Sequence, residues 1–165
     1  MPLTSIDEIC PVRNVAGLTK IRYAPLIWFN RSVSVILVNS NYRYGAGLVF
    51  NSGKTWLEFP AKMDTKSLKN SGEKSDQGAA YGYILDAVYP TINEEVIAEM
   101  NKMTRLEFMV HAVLPSKQEI LLGSMTRGAD FSFSSDTKDA LGNTIGIGVS
   151  WRWDSPKGII NAQML

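Results

Sequence analysis

The alternation of apolar and polar positions reads as a succession of short strands interrupted once by a helix. Residues 144–153 alternate most cleanly. Ile145, Ile147, Val149, Trp151 and Trp153 fall on one face, and Thr144, Gly146, Gly148, Ser150 and Arg152 on the other. A period of two marks a strand with one face against a core. The small residues opposite leave a flat face that another backbone or subunit can approach closely. The same period predicts strands over residues 80–89, 105–114 and 129–134. The first gathers Tyr81, Tyr83, Leu85, Ala87 and Tyr89, and the second Leu106, Phe108, Val110, Ala112 and Leu114. Residues 119–125 pair back on 105–114 as a hairpin after the polar turn Pro115-Ser116-Lys117. Residues 55–63 place Leu57, Phe59, Ala61 and Met63 inward and Trp56, Glu58, Pro60 and Lys62 outward, with Pro60 marking an edge or bulge. Residues 32–38 read as a strand that is apolar on both faces. A further strand over 42–50 is loosened by Gly45 and Gly47, and Pro25 makes 18–29 an edge strand or irregular apolar segment.

One segment changes period. Ile92, Val96, Met100 and Met103 recur at helical spacing and predict a helix over about residues 91–103. Thr91 and Glu94 fit a capping box, in which each side chain serves the other residue's free backbone N–H. Glu94 and Glu95 at the start and Lys102 near the end suit the helix dipole. A helix of about three turns does not persist alone in water, so its apolar stripe must pack on the sheet. The stretch 80–124, strand, helix, strand and hairpin, is then a scaffold. Roughly seven to nine strands and one helix make a mainly β chain, a β-sandwich or barrel with a single packed α-helix.

A length of 165 residues fits a single domain, 1–165. Residues 1–17 lack any period and read as an extended N-terminal arm. Residues 64–78 contain one aliphatic residue, Leu68, among lysines and small polar residues, and read as a long mobile loop. Such a loop is either simply solvated or orders on a neighbouring subunit or an anionic partner. The C-terminal tail, 155–165, carries Ile159, Ile160, Met164 and Leu165, an apolar set that asks to be docked. Lys66, Leu68, Lys69, Lys74, Ile159, Ile160, Met164 and Leu165 are therefore the candidate subunit-interface residues.

Composition narrows the chemistry. Apolar residues are 45% and charged residues 20%, which argues against global disorder. Lys plus Arg is 17 against 16 for Asp plus Glu, without the basic excess of a dedicated nucleic-acid binder. Cys10 is the single cysteine and His111 the single histidine, which excludes an internal disulfide and a Cys/His zinc site. His111 lies mid-strand opposite the apolar face and reads as a surface or interface residue, not a catalytic base. Gly45-Ala46-Gly47 and Gly72-Glu73-Lys74-Ser75 lack the glycine spacing of nucleotide-binding loops. Asp64, Asp76, Asp86 and Asp130 lack metal-loop spacing. The expectation is a chain that is not an enzyme, with no catalytic residue, cofactor or metal. Its start does not read as a signal peptide. Apolar runs of about five residues fall far short of the ~20 that span a bilayer, so no membrane contact is expected.

Strands through 55–63, 80–89, 105–114 and 144–153, the helix at 91–103, the loop at 64–78 and two extended ends make a layout that resembles the tail-tube and tail-completion proteins of long-tailed bacteriophages. The resemblance covers most of the chain. It implies a non-enzymatic virion structural protein, made in the host cytoplasm, that forms homo-oligomeric rings in a tail tube or neck. Other virion proteins would be its partners, DNA would pass through the lumen in passive contact, and the loop and termini would join subunits. Independently of that likeness, two-sided apolar strands, a flat glycine face and apolar termini ask for a partner, and head-to-tail contacts close into rings where the rotation permits. The alternative is a monomeric β-barrel binding module whose Tyr and Trp residues line a small-ligand pocket. A hydrolase dependent on His111 stands third.

Overall fold

The computed structural model describes residues 17–34, 37–38, 43–45, 47–62, 64–75, 78–135, 146–155 and 161–162. In chain order the strands are β1 (Lys20–Pro25), β2 (Leu37–Val38), β3 (Arg43–Gly45), β4 (Leu57–Glu58), β5 (Ser67–Ser75), β6 (Gly78–Tyr89), β7 (Glu107–Val113), β8 (Glu119–Leu122), β9 (Ala129–Ser135), β10 (Ile147–Ser155) and β11 (Asn161–Ala162). Helix α1 (Glu94–Met103) joins β6 to β7, and a 3-10 turn, Leu26–Trp28, follows β1. The fold is mainly β with one helix, as the periodicities predict. The strands form a single sheet in the order β2-β3-β11-β8-β7-β9-β10-β6-β5, with β1 on the other edge of β7 and β4 on β1. Among the described residues all strand pairs are antiparallel except β11 with β3. The sheet does not close into a barrel.

A corner at β7 gives the sheet two layers. Val110 to Val113 pair with β8, while Glu107 and Phe108 pair with the start of β9. The chain reaches β9 through a turn in which Ser124 N donates to Arg127 O at 2.7 Å. It then passes so close to β7 that a Cβ on Gly128 would lie 2.7 Å from Phe108 N and 2.9 Å from Phe108 O. Only glycine fits that crossing. β9 then leaves β7 and runs beside β10. This folds the layer β9-β10-β6-β5 over the layer β1-β7-β8. Trp151 fills the space between them, with ring centroids 5.0 Å from Phe59, 5.2 Å from Phe131 and 6.0 Å from Tyr23.

β10 behaves as its alternation predicts. Ile147, Val149, Trp151 and Trp153 are buried, and Arg152 is exposed. Met100 and Met103 of α1 are buried too, with Val96 and Ile92 packed at the margin. The helix begins later than the capping box at Thr91 implies. Asn93 is the N-cap, and its Oδ1 accepts from Val96 N at 2.8 Å, so its own carboxamide satisfies the first turn.

Other readings are corrected. Residues 64–78 are no structureless loop: Ser67 to Ser75 pair residue for residue with Asp86 to Gly78, making a hairpin. Composition measures what a segment can bury, whereas β5 is held by ladder hydrogen bonds and by Leu68 alone packing on the core. Residues 31–33 form a turn that exposes Val33, and only Leu37–Val38 of the 32–38 segment are described as strand. Of 42–50 only Arg43–Gly45 are described as strand, and of 55–63 only Leu57–Glu58. The faces of the latter also differ from expectation: Leu57 is 37% exposed, while Trp56 turns inward against Phe29 and Phe50. The N-terminal arm up to residue 16, with Cys10, lies outside the described residues, as do Met63 and most of the tail.

Candidate functional site

The outward face of β5-β6-β10-β9 is built by register. Ser67, Asp86, Ser150 and Ser132 form one cross-strand row, and Lys69, Ile84, Arg152 and Asp130 the next. Val88, Gly148 and Ser134 flank the first row, and Ser71, Gly82 and Asp154 the second. These are the off-core partners of Leu85, Ala87, Val149 and Trp151, so the alternation that fills the core also sets out this polar lattice. A shallow depression of about 330 Å³ lies across it, lined by Thr65, Asp86, Ser132, Ser134 and Ser150 among others.

The charges on this face are loosely held. Lys69 Nζ is 3.4 Å from Asp86 Oδ2, Arg152 Nε 3.4 Å from Asp154 Oδ2, and Arg127 is 3.9 Å from Asp130. Exposed pairs of this kind contribute at most about 1 kcal/mol each. The backbone ladder keeps the face in shape, and the side chains stay free to be re-paired. Ile84 interrupts the polar rows and is 37% exposed. At the end of the face, β5 pairs with β6 alone among the described residues, leaving its other edge of nine residues unpaired.

The sequence-derived interface residues divide on this frame. Lys66 Nζ donates to Thr19 O at 2.6 Å, and Leu68 packs on the core, so both serve the chain's own fold. Lys69 stands on the polar face, and Lys74 lies on β5 opposite Ala79 near the hairpin tip. Ile159, Ile160, Met164 and Leu165 lie outside the described residues. Asp86, Ser132 and Ser134 are not among the candidate interface residues read from the sequence. Their signal is the polar half of the same alternation, which carries Ser150 and Gly148 as well. Of the Tyr and Trp rings that the ligand-pocket reading invokes, Trp151, Trp153 and Tyr83 are buried in the core, with Tyr83 and Trp153 centroids 5.6 Å apart.

His111 is not at the surface. It is fully buried in β7 because both faces of this strand are covered. Its Nε2 lies 3.1 Å from Glu119 Oε2, and its Nδ1 has no hydrogen-bond partner among the described residues. Arg22 on β1 is its register partner, and the Trp56 ring centroid is 5.9 Å away. Burial lowers its pKa below the ordinary 6.5, the nearby Glu119 carboxylate opposes that shift, and Arg22 reinforces it.

Comparison with known proteins finds no matching family model, no similar curated protein and no similar solved structure.

Proposed function

We propose that the chain is a non-enzymatic structural subunit that assembles head to tail with copies of itself into rings, as in the tail tube or neck of a tailed bacteriophage. The observation that carries this reading is the free edge of β5 at one end of the open sheet. Among the described residues its nine positions pair with β6 on one side only. An exposed edge presents a row of backbone N–H and C=O groups that another strand can use. A neighbouring copy that docks a different part of its surface on this edge makes a heterologous contact, and such contacts close into rings where the rotation permits. The polar lattice beside β5, with loosely paired Lys69 and Arg152, gives the neighbour something to register against. In this reading the protein resides in the virion, contacts other virion proteins, and meets DNA passively in the lumen.

Multi-angle light scattering with electron microscopy tests the proposal. Closed rings of several copies are expected at high protein concentration. A strict monomer at every concentration overturns it.

A further inference from the structure

His111 is a buried titratable group that the assembly reading does not use, and its surroundings are specific. Across β1 it faces Arg22, and β8 supplies Glu119 at 3.1 Å. Next along β1 and β4, Lys20 and Glu58 pair with one another. Above the strand runs the segment 47–58, an arch carrying Phe50 and Trp56. The arch is fastened at one end by Asn30 N to Val49 O and Asn51 N to Trp28 O, each at 2.8 Å. At the other end it is fastened by β4 pairing with β1. Phe29, Phe50 and Trp56 form a three-ring cluster in its span, with centroids 4.4 to 5.6 Å apart, and Trp56 reaches His111.

The tautomer follows from this geometry. A carboxylate only accepts, so Nε2 must carry the hydrogen. Neutral His111 is then satisfied on one side and keeps only a bare lone pair at Nδ1 on the other. Protonation changes the side that has nothing to offer. It places an N–H at Nδ1, where no described residue offers an acceptor, on a ring whose register partner is the cationic Arg22. A buried donor without an acceptor is costly, and a buried charge more so. Relief would come from bulk water, and the ring that the arch packs against the imidazole is Trp56, 5.9 Å away.

We infer that His111 is a proton-sensitive latch: neutral, it lets the 47–58 arch close over β7, and protonated, it opens the arch. The sheet beneath is held by its own ladders, so the change is local. It concerns the single chain, so it stands or falls independently of ring formation.

The single histidine makes the test direct. The His111 Hε1 resonance of the full-length protein is followed by NMR from pH 8 to 5. Protection of the Asn51 amide against hydrogen exchange and tryptophan emission are read on the same samples. The expected midpoint lies below 6.5. At that midpoint Asn51 protection falls and emission shifts to the red. Trp56→Phe is expected to remove the emission change and leave the midpoint in the acid range. Arg22→Gln should raise the midpoint and Glu119→Gln should lower it, which a histidine that merely fills space does not predict. Should any of these variants fold poorly, the wild-type titration still decides. A midpoint at or above 6.5, or a titration that leaves both Asn51 protection and Trp56 emission unchanged, overturns the latch.

Discussion

β7 and β10 are both central strands with large side chains directed into the shared core, and they differ in what lies behind them. Behind β10 are Gly148, Ser150 and Arg152, on a face open to solvent. Behind β7 are Met109 and His111, both fully buried, with Ala24 and Arg22 of β1 as their neighbours. An apolar face has to be covered. Since β7 presents two, the chain brings the 47–58 arch over the second. The same kind of residue therefore has opposite fates on the two strands. A polar group behind β10 is hydrated and free to meet a partner, whereas a polar group behind β7 is trapped and must find its partner within the fold. On this difference rest the open face of the assembly proposal and the sealed histidine of the latch.

The sharpest test of the shared core is Trp151→Ala. This ring touches Tyr23, Phe59 and Phe131 and is fully buried between the layers. Emptying such a site costs about 3–5 kcal/mol. Urea unfolding is expected to show a loss of that size, and a loss below about 1 kcal/mol would mean that the layers do not close on Trp151.

Met109→Ala probes the cover behind β7. The side chain is fully buried, and its sulfur would lie 2.8 Å from a Cβ placed on Gly123. A loss of about 2–5 kcal/mol is expected by the same unfolding measurement. A loss within ~0.5 kcal/mol would place the outer side of β7 in solvent, like that of β10, and remove the contrast.

What the sequence conveys about these strands follows from the same contrast. β10 has one buried face, so period two reads directly from Ile147 to Trp153, and its flat polar side was foreseen with it. β7 has two, and its second cover comes from residues some fifty positions earlier. No local pattern around His111 announces that, so the histidine looked like a surface residue. Trp56 misled for the same reason, because its alternation with Leu57 gives no hint of a ring cluster with Phe29 and Phe50. β5 failed differently. Its order comes from pairing with β6, and a run such as Ser67 to Ser75 is polar because both sides of an edge hairpin can be wet. Of the candidate interface, Lys69 stands on the open polar face, while Lys66 bonds to Thr19 O and Leu68 packs on the core.

The two strands should also respond differently to acid. His111 has its folded pKa lowered below 6.5 by burial, so the unfolded chain binds its proton more readily than the native one. Stability then rises with pH wherever the unfolded state holds more protons. The contribution of the neutral histidine is fully present above 6.5 and is lost progressively as pH falls from there toward the lowered native value. Wild type minus His111→Gln, compared by urea unfolding at pH 7.5 and pH 5, isolates this from the carboxylates that titrate lower. The difference should favour wild type more at pH 7.5. An equal difference at both values would show that the cover over β7 tolerates the charged ring.

The smallest expected effect on folding belongs to Arg152→Ala, the counterpart on β10 of the histidine position on β7. Arg152 is exposed, sits in register between Ile84 and Asp130, and is 3.4 Å from Asp154. Screening by water leaves such a pair little to contribute, so unfolding in urea should move by no more than ~0.5 kcal/mol. If this row is where a neighbouring copy registers, the same substitution should shift the assembly measured by light scattering toward smaller species. A stable monomer with weakened association assigns the polar lattice to contact between copies. A loss of more than about 1 kcal/mol in the monomer would instead bind Arg152 to the chain's own fold, and the two strands would then be covered alike.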